Sequence, residues 1–458
     1  MKKNDVITLK IEDITNLGFG VGRADGAVVF VASAVPGDTV EVKIIKEASS
    51  YYVGRVERFI TLSGIRTADR CGNSKCRSCA YREIGYAEEL KIKQCTVKAA
   101  FAKVGLTEVK IKDTVPSPKL TEYRNKAQYP IARAKDGDYV IGFYAPKSHN
   151  VCEAADCPIA PKIFSDILGT LREFFQKHSH STYDEKSKKG LLRHIYLRRG
   201  EVSKEILLTI VITEDKLPFS DELVRTMTEL YPDIVGILIN KNDRDTNVVL
   251  GRSYTTIFGR DYIKDTLSGI ELKLTAPSFY QVNHGAAELL YAKARELAEL
   301  DKNDTLLDLY CGVGSIGLSM AKDCGELIGI EIVESAVQCA AYNAKENGLT
   351  NAKFYTGDAA DCEKLLVTAE KSLGRKINPD VIVLDPPRSG CDERLLNFIS
   401  TLSAKRIVYI SCNPATLARD VKVMKNLGYS ASEVTPFDLF PGTGHVESVV
   451  CLTRTFDN

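Results

Sequence analysis

From residue 276 onward, β-like and α-like patterns take turns along the chain. Strand-like runs fall at 305–309, 327–331, 353–355, 381–384 and 406–411, and helical periodicity at 285–300, 315–322, 334–347, 393–402 and 414–427. Parallel strands need long crossover connections, and helices of this length supply them. The pattern therefore predicts a doubly wound parallel α/β sheet. Such sheets bind ligands at the carboxyl ends of their strands. Three of those ends carry chemistry here: Tyr310-Cys311-Gly312-Val313-Gly314, Asp385-Pro386-Pro387-Arg388 and Ser411-Cys412-Asn413-Pro414.

The glycine string closes a strand and opens a helix. Gly312, Gly314 and Gly317 have the G-x-G-x-x-G spacing that lets a backbone approach a nucleotide closely. Glu331 ends the next strand, where an acid accepts hydrogen bonds from ribose hydroxyls. Alone, this fits NAD or S-adenosylmethionine, or a plain tight turn. Asp385-Pro386-Pro387 shifts the reading toward a methyltransferase, since a rigid proline pair can brace a flat base. Arg388 follows where amide and exocyclic-nitrogen methyltransferases usually have an aromatic residue, and those need no thiol.

A thiol is present. If the flat base is uracil, its C5 is a poor nucleophile until a thiolate adds to C6. A base must afterwards remove the C5 proton so that the thiol can leave. Cys412, at a strand end, is the candidate nucleophile, and Glu447, in Gly444-His445-Val446-Glu447, the candidate base. The plainer alternatives are a small buried hydrophobe for the cysteine and a solvated acid for the glutamate. Cys95, Cys324, Cys339, Cys362, Cys391 and Cys451 take the plainer reading. A cytosine-C5 enzyme would set its cysteine after proline or threonine instead.

Thirteen cysteines without a continuous apolar leader point to a reducing, cytoplasmic setting rather than a disulfide scaffold. Cys71, Cys76 and Cys79 are closely spaced, and Cys157 precedes Pro158. Four thiolates with no histidine in either motif suit an iron–sulfur cluster or structural zinc, with Cys152 as a rival fourth ligand. No apolar run reaches ~18 residues, so no membrane span is expected. Net charge is only +1, yet residues 65–150 hold 17 Lys and Arg against 9 Asp and Glu, an uneven field that attracts phosphate. Residues 6–60 alternate apolar and polar between glycine-marked turns, as in a small β-barrel, which fits either a binder of single-stranded nucleic acid or a structural add-on.

Together these strings resemble the bacterial ribosomal RNA (uracil-5-)-methyltransferases that carry an iron–sulfur cluster. The likeness runs through Tyr123-Arg124-Asn125-Lys126, Gly142-Phe143-Tyr144, Ser278-Phe279-Tyr280-Gln281-Val282-Asn283, LDLYCGVGSIG, LDPPRSG, SCNPATLARD and Thr443-Gly444-His445-Val446-Glu447. It implies an OB-like TRAM barrel over 1–60 and a central α+β domain over 61–275, with a helix near 86–105 packed on the catalytic part. A Rossmann-like methyltransferase domain would follow over 276–458. It implies S-adenosylmethionine held by Gln281, Tyr310, Glu331 and Asp385, with Asp308, Gly312 and Asp358 in the same set. It implies Cys412 as nucleophile, Glu447 as base, and a [4Fe-4S] cluster on Cys71, Cys76, Cys79 and Cys157. Four residues separate the first two of these cysteines, where five is common in relatives. The implied substrate is a uridine of 23S ribosomal RNA, and the implied state a cytoplasmic monomer. The transfer RNA branch, the first alternative, commonly lacks both cluster and TRAM domain. A non-catalytic RNA-binding iron–sulfur protein is the alternative from another class, and Cys412, Glu447 and the glycine loop argue against it.

Overall fold

The computed structural model describes residues 1–455 apart from Ser74, Lys147 and Ala155. The N-terminal strands Val6–Lys10, Asp13–Ile14, Phe19–Ala24, Ala27–Ala32, Thr39–Glu47 and Tyr51–Thr61 form one six-stranded sheet. Alternation turns Leu9, Val29, Val31, Val40, Val42 and Ile44 to one core. Gly54 leaves room for Val42 on the neighbouring strand, since a Cβ there would stand 2.1 Å from Val42 Cγ1.

A second sheet has seven strands, from Val151–Glu153 at one edge to Ser253–Gly259 at the other. The helices Lys162–Lys177 and Ser220–Leu230 bury Phe164, Ile167, Leu171, Leu223 and Met227 in its core. The strand Lys126–Arg133 belongs to this sheet, and the residues just before it reach the catalytic part. Asn125 N donates to Val282 O at 2.8 Å, and its side-chain amide donates to Gln281 O at 2.9 Å.

The catalytic sheet begins as expected. Ala352–Thr356, Glu326–Glu331, Thr305–Leu309, Val381–Leu384 and Arg406–Ser411 lie parallel in that spatial order. It then departs from the fully parallel expectation. Glu447–Arg454 pairs antiparallel with Arg406–Ser411, Glu433–Phe437 pairs antiparallel with Glu447–Arg454, and Lys110–Ile111 adds at the far edge. A short excursion reverses the chain between Phe437 and Glu447, so no crossover helix is needed. The consequence is positional. An antiparallel strand starts where its parallel neighbours end, so Glu447 enters the sheet at the carboxyl edge. Ser448 pairs with Ser411, one residue before Cys412.

The helices Ser315–Met320, Glu334–Glu346, Glu393–Thr401 and Pro414–Asn426 follow the periodic runs read from sequence. Asn413 caps the last of these by accepting from Ala415 N at 3.1 Å, and Pro414 sits in the first turn. The helix Tyr86–Lys103 lays Val97 and Phe101 into the apolar layer containing Ile382, Leu384, Ile407 and Tyr409.

Candidate active site

The strand Thr305–Leu309 ends at Tyr310, which has φ +66°, and Gly312 (φ +56°) and Gly314 (φ +82°) follow. Three left-handed residues in five swing the chain sharply into the next helix; such a conformation is uncommon for tyrosine. Asp308 clamps the turn from below. Its Oδ2 accepts from Gly317 N at 3.0 Å, and a Cβ on residue 317 would sit 2.6 Å from that oxygen. Complete burial, with Asp385 and Glu331 nearby, pushes Asp308 up to about 8. Of the residues expected to hold the cofactor, Asp308 therefore stands apart: it supports the loop and does not line the cavity.

The others line one cavity of about 640 Å³. Gln281, Tyr310, Gly312, Glu331, Asp358, Asp385, Cys412 and Glu447 all face it. Glu331 bridges its floor, accepting from Gly312 N at 3.0 Å and Val333 N at 2.9 Å. Asp358 accepts from Ala360 N at 2.9 Å and caps a short turn. Ile332, Ala359, Pro386 and Pro387 supply apolar wall. A glycine turn, a carboxylate one strand over and apolar faces between them fit a nucleoside with a flat base.

At the other end of the cavity the charges are close-set. Burial drives Glu447 up to about 8, Asp385 adds to the shift, and Arg388 opposes it. Burial drives Asp385 up to about 7. The Cys412 thiol is also raised, by desolvation first and then by Glu447 and Asp385, and again Arg388 opposes. His445 is lowered by burial and by the Arg388, Lys93 and Arg124 charges.

A second groove of about 760 Å³ runs between the N-terminal sheet, at Asp13, Thr15 and Asn16, and the Tyr86–Lys103 helix, at Lys91 and Cys95. It ends on Arg388, Cys412 and His445, which also line the first cavity. Cys412 thus borders both cavities. A further depression of about 570 Å³ over the His284–Ala298 helix carries Glu288, Glu296, Glu299 and Asp323, and holds none of these residues.

Lys126, Phe279, Arg388, Phe440 and His445 line the cavity although sequence reading assigned them no role in the site. All but Phe440 lie inside strings quoted for the resemblance; Phe279, Arg388 and His445 also stand within three residues of an assigned one, whereas Lys126 does not. Lys126 is pushed down to about 7 by desolvation and by the Arg198 and Arg124 charges.

The four cysteines come from two separate segments and share one locale. Burial raises Cys79 to about 12, and Cys157, Cys71 and Cys76 each add to that shift. Four thiols with no histidine among them are the kind of donor set that suits an iron–sulfur cluster or zinc. Among the described residues, no three His, Cys, Asp or Glu side chains are drawn in as tightly as a single ion would require. The rival, Cys152, donates to Phe143 O at 3.0 Å.

A strand-turn-helix nucleoside cradle on this sheet defines a Rossmann-like nucleotide-binding domain. Residues 85–455 match the tRNA (Uracil-5-)-methyltransferase family and residues 2–56 match the TRAM domain. The chain belongs to that family and is an S-adenosylmethionine-dependent RNA methyltransferase. A protein named as an uncharacterized RNA methyltransferase from Listeria monocytogenes serotype 4b (strain F2365) is 38% identical over 453 residues, covering 99% of this chain and 98% of that one. One of the same description from Oceanobacillus iheyensis is 36% identical over 460 residues, covering 100% and 98%. The crystal structure of Pyrococcus abyssi tRNA (uracil-54, C5)-methyltransferase in complex with S-adenosyl-L-homocysteine is 27% identical with a TM-score of 0.78, covering 98% of this chain and all of that one. No helix among the described residues is long and apolar enough to cross a membrane.

Proposed function

We propose that the enzyme methylates C5 of a uridine in 23S ribosomal RNA through a covalent adduct between Cys412 and C6. The observation that carries this reading is the meeting of Cys412 and Glu447 in the cavity that also holds the glycine loop and Asp385. Bound S-adenosylmethionine supplies an electrophilic methyl group. The chain does the rest. Cys412 Sγ adds to C6, which makes C5 nucleophilic, and C5 accepts the methyl. Glu447 then takes the C5 proton, the C5–C6 double bond reforms, and the thiolate leaves. Arg388 is the cation set to favour both ionised groups.

Cofactor recognition falls to Gln281, Tyr310, Gly312, Glu331, Asp358 and Asp385, with Asp308 bracing the loop. The chain divides into a TRAM unit over 1–60, a cysteine-bearing central unit over 61–275 and the methyltransferase unit over 276–458. Cys71, Cys76, Cys79 and Cys157 hold a [4Fe-4S] cluster in this reading. Anaerobic protein should contain iron and acid-labile sulfide; stoichiometric zinc without sulfide overturns the cluster.

Ribosomal RNA is favoured by the coexistence of the TRAM segment and the cysteine motif. A transfer RNA uridine is the second reading, favoured by the substrate named for the Pyrococcus abyssi relative. Mass-spectrometric mapping of ribosomal and transfer RNA from a deletion strain tests both. Loss of 5-methyluridine from large-subunit RNA is expected, and loss confined to transfer RNA would reject the ribosomal assignment.

A further inference from the structure

The Tyr86–Lys103 helix buries two charges that the chemistry above does not use. Lys93 is 1% exposed and Glu89 fully buried. Lys93 Nζ donates to Glu89 Oε1 at 2.9 Å, to Asp438 Oδ1 at 2.6 Å and to Phe440 O at 3.2 Å. Glu89 Oε2 accepts from Arg70 Nη2 at 2.9 Å, and Glu89 Oε1 also accepts from Gly442 N at 2.7 Å. Asp438 Oδ1 accepts in turn from Phe440 N at 3.0 Å. Two cations and two anions cancel within one cluster. Well-packed apolar residues often do as well as a buried ion pair for stability, whereas a buried polar network fixes geometry.

That geometry is aimed at one segment, 438–446, which runs directly into Glu447 and carries His445. The cysteine segment grips the same stretch. Tyr81 N donates to Gly442 O at 2.8 Å, and a Cβ on Gly442 would lie 3.7 Å from Cys79 Cβ. Tyr123 OH donates to Pro441 O at 3.1 Å. Arg70 directly precedes Cys71, and its guanidinium also donates to Tyr81 O and Ile84 O.

We propose that the Arg70–Glu89–Lys93–Asp438 cluster is a strut through which the cysteine segment holds 438–446, and with it Glu447, in register with Cys412. Lys93 is a positioning residue at its hub. The cysteine site then serves methyl transfer by holding the base in place, with no electron exchanged. The inference rests on the reading of Glu447 as the base; the mechanical coupling itself does not.

The test is hydrogen exchange on whole protein, prepared anaerobically, comparing Lys93→Met, Cys79→Ser and the double variant with the parent. Lys93→Met and Cys79→Ser should each raise exchange in a peptide spanning 438–447 about tenfold, leaving the Thr305–Leu309 strand protected. Because they act through one strut, the double variant should gain little over either alone. Lys93→Met should lower kcat ~10²-fold with little change in the KM for RNA, and methyl-labelled protein–RNA adduct should accumulate. Lys93→Met/Asp438→Asn restores charge balance and should recover the melting temperature without recovering kcat. Should Lys93→Met prove insoluble, Asp438→Asn, which keeps the Lys93–Glu89 pair, gives the same exchange readout. Unchanged exchange at 438–447, fully additive effects, or kcat recovering with the melting temperature would each overturn the strut. If Glu447 is not the base, the exchange results still hold but no adduct appears, so the two failures are separable.

Discussion

Cys412 and Glu447 make opposite demands on one small volume. The thiol must ionise to attack, and the carboxyl must be ionised to take a proton, yet burial raises both, and the Glu447 and Asp385 carboxylates raise the thiol further. Arg388 alone opposes both shifts. Replacing it with glutamine should move the pH midpoint for iodoacetamide alkylation of Cys412 upward, read on the free enzyme; an unchanged midpoint would remove Arg388 from that role. Cys412→Ala should retain cofactor binding by calorimetry while methylation falls by at least ~10⁴-fold, and a sizeable residual rate would refute the nucleophile. Glu447→Gln should stall after methyl transfer, since an amide cannot accept the C5 proton, lowering turnover ~10²–10⁴-fold. A labelled protein–RNA adduct on a denaturing gel is the expected sign. A folded, RNA-binding variant that is inactive without adduct, or that turns over normally, counts against Glu447.

Among the elements, the turn after Thr305–Leu309 sets the cofactor end of the site. Its shape depends on Gly317 as much as on the two glycines with positive φ, because the Asp308 carboxyl occupies the space a side chain would need. Gly317→Ala should therefore break the Asp308–Gly317 hydrogen bond, destabilise the fold by about 1–3 kcal/mol and weaken S-adenosylhomocysteine binding in calorimetry. Unaltered affinity would show that the clamp does not shape the cradle. Periodicity found this turn and the helices around it because each buries a regular apolar stripe. It did not find the helix Cys362–Leu373, whose buried side chains are only Cys362, Leu366 and Ala369 amid charged residues. Nor did it find that Glu447–Arg454 runs antiparallel, since direction within a sheet leaves no mark on local alternation.

Across the whole molecule, Asp308, Asp385 and Glu447 converge from three different strands, and all three carboxyls are held above their usual range. For Glu447 the sign is direct. Its folded value of about 8 lies above the ordinary glutamate value of 4.5, so the folded state keeps a proton that the unfolded chain releases. Its contribution is full below pH ~4.5 and is lost as pH rises through about 8. Glu447→Gln, which cannot ionise, should gain stability over the parent as pH rises from 5 to 8.5, by on the order of 3 kcal/mol at the top of that range. Urea midpoints for both proteins across this range give the difference directly. A gap that stays flat with pH would mean that Glu447 is solvated in the free enzyme, and would remove the basis for its raised pKa.

The sequence by itself determined the parallel core, the three reactive strand ends and the polar residues at those ends that face the cavity. Those features are local: a glycine that must turn, a proline pair that must stiffen a loop, a cysteine at the end of an apolar run. Only the tertiary structure decided that Glu447 begins a reversed strand beside Cys412. Only it decided that Asp308 braces the loop from beneath, that Cys412 borders two cavities, and that Lys93, 345 residues from Asp438 along the chain, is its ion-pair partner. These depend on which distant segments pack together, and burial at those contacts, not residue type, sets the charge that each group can carry.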